Sequence, residues 1–309
     1  MIKGIYAAVL TPIDGEGAPH TRRLIDHGRW LLATGCDGLS VLGTTGEATA
    51  FCEAHRKALL EDLVGADIAP SALMPGTGCC AIDDTVSLSR HALSLGVTDV
   101  LVLPPFYYKD VDTEGLYRYF AQVIEGVGDD RLRLYLYNFP RMTGLNLGPD
   151  LVARLRAAFP DQMAGMKDSA GDLDALVAMA RAFPGFQVLT GWDDLILPSL
   201  RDGGAGAITA VCNVGQGLAH QLMEAFQAGD DGAAEQAHMR LAALQTAITA
   251  HPLTAALKEI LAVHGGDMAW RRVRPPLVEL DPDAAERLHR DLKALDFAPP
   301  PLQALAFDG

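Results

Sequence analysis

The sequence predicts an α/β fold, a closed (β/α)8 TIM barrel with a C-terminal helical extension, and three observations predict it. Short β-type apolar runs alternate with longer helical patterns through most of the chain, the signature of a parallel sheet covered by helices. Eight such strand-helix units fall within the first 229 residues, a better fit to a barrel of roughly 250 residues than to an open doubly wound sheet. From residue 230 onward the pattern is helical and rich in Ala and Leu, with no strand candidate, until Pro275-Pro276 and Pro299-Pro300-Pro301 interrupt it. The expected organisation is a barrel over residues 1–229 and a helical extension over residues 230–309 packed on it.

The first strand is expected at residues 5–10, ended by Thr11-Pro12, and the helix after it begins near Thr21, the expected N-cap. The second strand, residues 38–42, runs through a Gly/Thr turn into a helix over residues 52–64. Further strands are expected at residues 72–75, 100–103, 132–137, 163–167, 187–189 and 207–208, each followed by a segment able to form a helix. Hydrophobic residues at 49% beside 21% charged supply a large core, which excludes a disordered or tail-dominated chain.

Charge and composition narrow the function classes. With 25 Lys and Arg against 39 Asp and Glu, the net charge is −14, a field that repels phosphate backbones and anionic lipid. Nucleic acid and membrane are therefore not expected partners. A small anionic substrate stays open, because the field in a cleft depends on the few groups lining it. Cys36, Cys52, Cys79, Cys80 and Cys212 show no C-x-x-C pair or ligand spacing and read as free thiols in a reducing compartment. The N-terminus shows no basic segment followed by a sustained apolar run, and no apolar run approaches the roughly 18 residues that span a bilayer. The chain reads as cytoplasmic. Nine histidines fall without H-x-H or H-E-x-x-H spacing, so no metal is expected.

In a barrel the reacting groups sit at the C-terminal ends of the strands. Of six lysines, only Lys167 closes a run, Met163-Ala164-Gly165-Met166, that reads as a buried strand. Burial disfavours an ammonium, so a lysine in such a place suits attack on a carbonyl to form a Schiff base. The bland alternative is a snorkelling strand-end lysine paired with Asp168 or another acid. Leu42-Gly43-Thr44-Thr45-Gly46-Glu47 joins strand to helix. Its glycines let successive N–H groups and two hydroxyls converge on a carboxylate, or else the threonines cap an ordinary turn. Tyrosines gather at two further strand ends, in Pro105-Phe106-Tyr107-Tyr108 and Tyr135-Leu136-Tyr137-Asn138-Phe139-Pro140. They serve either as proton carriers for carbinolamine chemistry or as rim packing. Gly203-Gly204-Ala205-Gly206-Ala207 precedes a strand where a dinucleotide loop would follow one, and reads as a tight turn.

These stretches, together with Gly165-Met166-Lys167-Asp168-Ser169 and Gly203-Gly204-Ala205-Gly206-Ala207-Ile208, resemble the pyruvate-dependent class I aldolase superfamily typified by dihydrodipicolinate synthase and N-acetylneuraminate lyase. The resemblance covers essentially the whole chain. It implies that Lys167 forms the imine with pyruvate, that Tyr137 shuttles protons, and that Thr44 and Thr45 hold the pyruvate carboxylate. It further implies that Tyr108 reaches across a subunit interface, with Thr44 between the two phenols, and that Gly191 and Ile208 line the pocket through backbone atoms. A homo-oligomer, commonly a tetramer, follows by the same resemblance, with no metal or organic cofactor.

The departures bear on substrate. In dihydrodipicolinate synthases the second residue after the proline that follows the fifth strand is an arginine that binds the carboxylate of aspartate semialdehyde. Here Met142 stands there and Arg141 precedes it. Either Arg141 substitutes from a shifted backbone or that function is absent; absence is the expectation, since a small misplacement is costly. The sialic acid lyases usually carry G-S-T-G-E where this chain has Gly43-Thr44-Thr45-Gly46-Glu47. The expected activity is thus cleavage or formation of a 2-keto-3-deoxy sugar acid or related 4-hydroxy-2-oxo acid, from pyruvate and an aldehyde. A dihydrodipicolinate synthase (4-hydroxy-tetrahydrodipicolinate synthase), a 2-oxo-acid dehydratase and a non-catalytic 2-oxo-acid sensor are the alternatives. The sensor would need neither nucleophile nor proton relay.

Overall fold

A computed structural model describes residues 3–302; Met1, Ile2 and residues 303–309, where the expected extension ends, lie outside the described residues. Seven parallel strands form the sheet: β1 (Gly4–Ala8), β2 (Gly38–Ser40), β3 (Asp99–Val102), β4 (Arg133–Asn138), β5 (Met163–Asp168), β6 (Gln187–Thr190) and β7 (Gly206–Thr209). Their order is β2-β1-β7-β6-β5-β4-β3, so the sheet curls until its two edge strands, β2 and β3, face each other.

The segment expected as a third strand, residues 72–75, lies in that gap but forms no regular strand. Pro70–Ala72 is a 3-10 turn, and Pro75 has no N–H to donate. Residues 73–77 nevertheless bond to both edges. Met74 N donates to Leu39 O at 2.9 Å and Gly76 N to Val41 O at 2.8 Å, while Leu101 N donates to Pro75 O at 3.0 Å and Thr77 N to Leu101 O at 2.9 Å. This eighth seam closes the barrel. The second strand stops at Ser40, short of residue 42, where Leu42 takes a left-handed φ of 58°.

Side chains alternate across a strand, and here the alternation sorts the core in two. Ile5, Ala7, Val100, Val102, Leu134 and Leu136 join the outer cluster beneath the helices, whereas Tyr6, Ala8, Leu101, Tyr135, Leu189 and Ile208 fill the barrel interior. Two aromatic rings fit inside because two strands give up a side chain. A Cβ on Gly38 would lie 2.0 Å from the Tyr6 ring, and one on Gly165 would lie 2.5 Å from the Tyr135 ring.

The helix after β1, Thr21–Ala33, is capped by His20 and not by Thr21: His20 Nδ1 accepts from Arg23 N at 3.3 Å. The Thr21 hydroxyl is engaged elsewhere, donating to Asp62 Oδ2 at 2.9 Å. After the helix Cys212–Ala228, Asp230 caps a further helix, Asp231–Thr249, by accepting from Ala233 N at 2.9 Å. Ala234, Ala237, Leu241, Leu244 and Ile248 form its buried stripe at helical spacing, and it packs on Cys212–Ala228. Helices Leu253–Gly265 and Pro282–Ala294 follow. Among the described residues no helix is long and apolar enough to cross a membrane.

Candidate active site

The C-terminal ends of β2, β4, β5, β6 and β7 open onto one cavity of about 520 Å³, whose walls include Thr44, Thr45, Tyr137, Lys167, Gly191 and Asp193. Lys167 is 5% exposed. It owes its place to the β4–β5 register, which sets it directly beside Tyr137. Its Nζ lies 4.3 Å from the centroid of the Tyr137 ring, a cation–π distance. The pairing with Asp168 does not form: Asp168 Oδ2 accepts from Asn138 Nδ2 and Oδ1 from Ala170 N, both at 2.8 Å. Those bonds offset the burial that raises the Asp168 pKa and turn the carboxylate away from the lysine.

The Tyr137 hydroxyl stands 3.5 Å from Thr44 Oγ1, long for a hydrogen bond and of a kind that tightens when a reacting group binds. The turn that holds Thr44 is tied by Glu47 N donating to Thr44 O at 3.1 Å and Ala48 N to Gly43 O at 3.2 Å. Among the described residues the amides of Thr44 and Thr45 donate to no other group. Thr44 and Thr45 both line the cavity, so the turn brings two uncommitted N–H donors and a hydroxyl to its wall, the donor set that suits a carboxylate.

Of the other expected site residues, Gly191 reaches the cavity and Ile208, Arg141 and Tyr108 do not. Gly191 lines the cavity and donates its N–H to Asp168 O at 2.6 Å. Ile208 does not line it; fully buried, it packs in the barrel interior with Tyr137, and Ala210 and Val211 form that wall instead. Arg141 is exposed on the helical turn Pro140–Thr143, while Met142 beside it lines the cavity. Tyr108 is 72% exposed, its ring edge-on to Tyr107 with centroids 5.3 Å apart, and reaches no part of the cavity of its own chain.

Two groups escape sequence reasoning. Asp193, just past β6, is buried against the cavity; its Oδ1 accepts from Thr209 Oγ1 at 2.6 Å, and Gln245 Oε1 accepts from its backbone N at 2.6 Å. Desolvation pushes its pKa up to about 7, opposed by the Thr209 bond and weakly by Lys167. Lys258, on helix Leu253–Gly265, is fully buried and bonds Glu47 Oε1 at 2.5 Å and Arg272 O at 2.7 Å. Burial pulls its pKa down and Glu47 pulls it back. The available signal for Lys258 is its setting among Ala255, Ala256, Leu257, Ile260 and Leu261, an apolar stretch with no solvent face. For Asp193, only the paired acids directly after a strand give a hint. Among the described residues no three His, Cys, Asp or Glu side chains are grouped to hold a metal.

Known proteins resemble this chain over nearly its whole length. Residues 1–295 match the Dihydrodipicolinate synthetase family. An uncharacterised DapA-like lyase of Chloroflexus aurantiacus is 36% identical over 279 residues, 90% of this chain and 92% of that protein. The 4-hydroxy-tetrahydrodipicolinate synthase of Methanopyrus kandleri is 31% identical over 300 residues, 96% and 98% of the two chains. Among solved structures, dihydrodipicolinate synthase of Agrobacterium tumefaciens superposes with a TM-score of 0.85 at 31% identity, covering 95% of this chain and 99% of that one. YagE of E. coli K12, a prophage protein of the dihydrodipicolinic acid synthase family solved in complex with pyruvate, gives 0.89 at 30% identity, covering 96% and 99%.

A (β/α)8-type barrel of this kind is a carbon–carbon lyase of the class I aldolase type, working through a lysine Schiff base. The chain belongs to the Dihydrodipicolinate synthetase family.

Proposed function

We propose that Lys167 is the Schiff-base lysine, that pyruvate is the keto acid it holds, and that the enzyme cleaves or forms a 2-keto-3-deoxy sugar acid or related 4-hydroxy-2-oxo acid. The observation that carries this reading is the amine of Lys167, buried over the Tyr137 ring, within a cavity that also exposes the open amides of Thr44 and Thr45. The substrate carboxylate sits on those amides. The Lys167 amine adds to the ketone carbon, and the carbinolamine loses water to give a protonated imine. In the cleavage direction the C3–C4 bond breaks and its electron pair moves into the imine, forming an enamine. Tyr137, having given its proton to the hydroxyl that leaves the carbinolamine as water, takes the C4 hydroxyl proton, and the aldehyde is released. The enamine then takes a proton at carbon and hydrolyses, returning pyruvate and the free amine.

Tyr108 enters this scheme from a second copy of the chain. A chamber of about 210 Å³ adjoins the main cavity, walled by Thr44, Tyr137, Phe106 and Met142. It offers room for a phenol from a neighbouring subunit, which supports a homo-oligomer, a tetramer by family resemblance. In the same reading residues 230–309 are an extension that completes the site, since Gln245 and Lys258 belong to it.

The relatives named 4-hydroxy-tetrahydrodipicolinate synthase favour a second reading, condensation of pyruvate with aspartate semialdehyde. Against it stand Met142 on the cavity wall and Arg141 turned to solvent. The test is to incubate the protein with pyruvate, reduce with borohydride and locate the adduct by peptide mass spectrometry. An adduct on the peptide holding Lys167 is expected; none on a folded sample overturns the reading. Aldehyde release from a 2-keto-3-deoxy acid then separates the aldolase from a dehydratase, which releases only water. A coupled nicotinamide-dependent reductase detects the synthase product.

A further inference from the structure

Glu47 presents an electrostatic problem that Lys258 solves. Glu47 closes the turn that carries Thr44 and Thr45, its backbone held in a left-handed φ of 56°, and it is part of the cavity wall. A carboxylate there, three and two residues past the Thr44 and Thr45 amides that receive the substrate's carboxylate, opposes the ligand it helps to hold, and inside a protein such repulsion is weakly screened. Its charge is not left open. Oε1 takes the Lys258 ammonium at 2.5 Å and Oε2 takes the backbone N–H of Arg274 at 2.6 Å, with the ion pair 0% and 1% exposed. Lys258 reaches it from helix Leu253–Gly265, 211 residues away along the chain. Its Nζ also donates to Arg272 O at 2.7 Å. The other charged groups on the wall are Lys167, Asp193 and Arg274, whose guanidinium donates to Gly17 O and lies over the Phe51 ring.

We infer that Lys258 is a positioning residue for substrate binding, a buried counter-charge that neutralises Glu47 so that the Thr44–Thr45 amides present a net attractive face to the carboxylate of a 2-oxo acid. This deepens the proposed function and rests on Lys167 imine chemistry. It makes a prediction of sign that a merely structural ion pair does not. Removing the cation leaves an unopposed anion and weakens a carboxylate ligand; removing the anion leaves an unopposed cation and strengthens it. Removing both restores neutrality.

The experiment measures the pyruvate concentration that half-saturates borohydride trapping on Lys167 at pH 8.5, with pyruvamide as a neutral ketone of the same shape and circular dichroism as the check on folding. Lys258→Met is expected to raise the half-saturating pyruvate about tenfold or more while moving the pyruvamide value less than about twofold. Glu47→Gln is expected to lower the pyruvate value about threefold, and Glu47→Gln with Lys258→Met to return it close to that of the parent. A folded Lys258→Met with parental pyruvate half-saturation overturns the inference, as does a Glu47→Gln variant that binds pyruvate more weakly. If Lys258→Met does not fold, Glu47→Gln and the double variant decide by sign alone. Failure of the parent protein to trap pyruvate on Lys167 would instead strike the imine reading, so the two failures are distinct.

Discussion

The protein buries two lysines at the same end of the barrel and treats them in opposite ways. Lys258 meets a carboxylate at 2.5 Å and a carbonyl at 2.7 Å. Lys167 meets the face of an aromatic ring, while the carboxylate next to it in sequence is turned away and bonded to Asn138 and Ala170. A paired amine is fixed by its partners; an amine over a ring face, with no carboxylate bonded to it, has room to turn toward a ketone. In the proposed reading, what distinguishes the two lysines is whether a carboxylate bonds the amine, since burial is common to both.

Substitution by methionine sharpens the contrast most. Lys167→Met is expected to abolish turnover, a loss of about 10⁴-fold or more as for other obligatory nucleophiles, with a melting temperature equal to or above that of the parent. Lys258→Met is expected to lose about 3–5 kcal/mol of stability, because it strands a buried carboxylate. Chemical denaturation of the two variants side by side reads this difference, and a Lys167 variant as unstable as the Lys258 variant breaks the comparison.

A smaller effect tests the ring beneath Lys167. Tyr137→Phe keeps the ring under Lys167 and removes only the hydroxyl, so trapping of pyruvate is expected to persist while turnover falls about 10²-fold. Steady-state kinetics beside borohydride trapping separates the two, and an undiminished rate removes the phenol from proton transfer.

The last test concerns Asp193, whose folded pKa is pushed up to about 7 from an ordinary 3.8 by burial. Between those values the folded state holds a proton that the unfolded chain has lost, so stability falls as pH rises from about 4 to about 7, by at most about 1.4 kcal/mol per unit. Below that window the contribution is fully present. Asp193→Asn is expected to flatten this segment of a melting-temperature profile, and an unchanged slope refutes the assignment.

Much of this was legible in the sequence because it is local. The strand alternation that separates Tyr135 and Tyr137 from Leu134 and Leu136 is a period of two, and a lysine at the end of the run from Met163 to Met166 is visible without coordinates. The eighth strand was half legible: its apolar character shows in residues 72–75, but a proline without an N–H leaves a seam in place of a ladder. Glu47 with Lys258, and Asp193 with Gln245, were not legible, since contacts spanning 211 and 52 residues depend on how the final helices fold back. Tyr108 shows the converse limit, where a motif position survives but the side chain is exposed in its own chain, and Arg141, one residue off the motif position, is exposed as well.

The seam has a consequence for how the family can vary at this edge. Residues 73–77 pass so close to the turn after β2 that a Cβ on Gly76 would sit 2.4 Å from Leu42 O and 3.3 Å from the Cα of Gly43, the residue that leads into Thr44. Any methyl group gained there pushes directly on Leu42 and Gly43. In a saturation library selected for turnover, position 76 is therefore a place of almost no tolerance although it touches no substrate, and the reaction is guarded by a residue whose whole contribution is to be small.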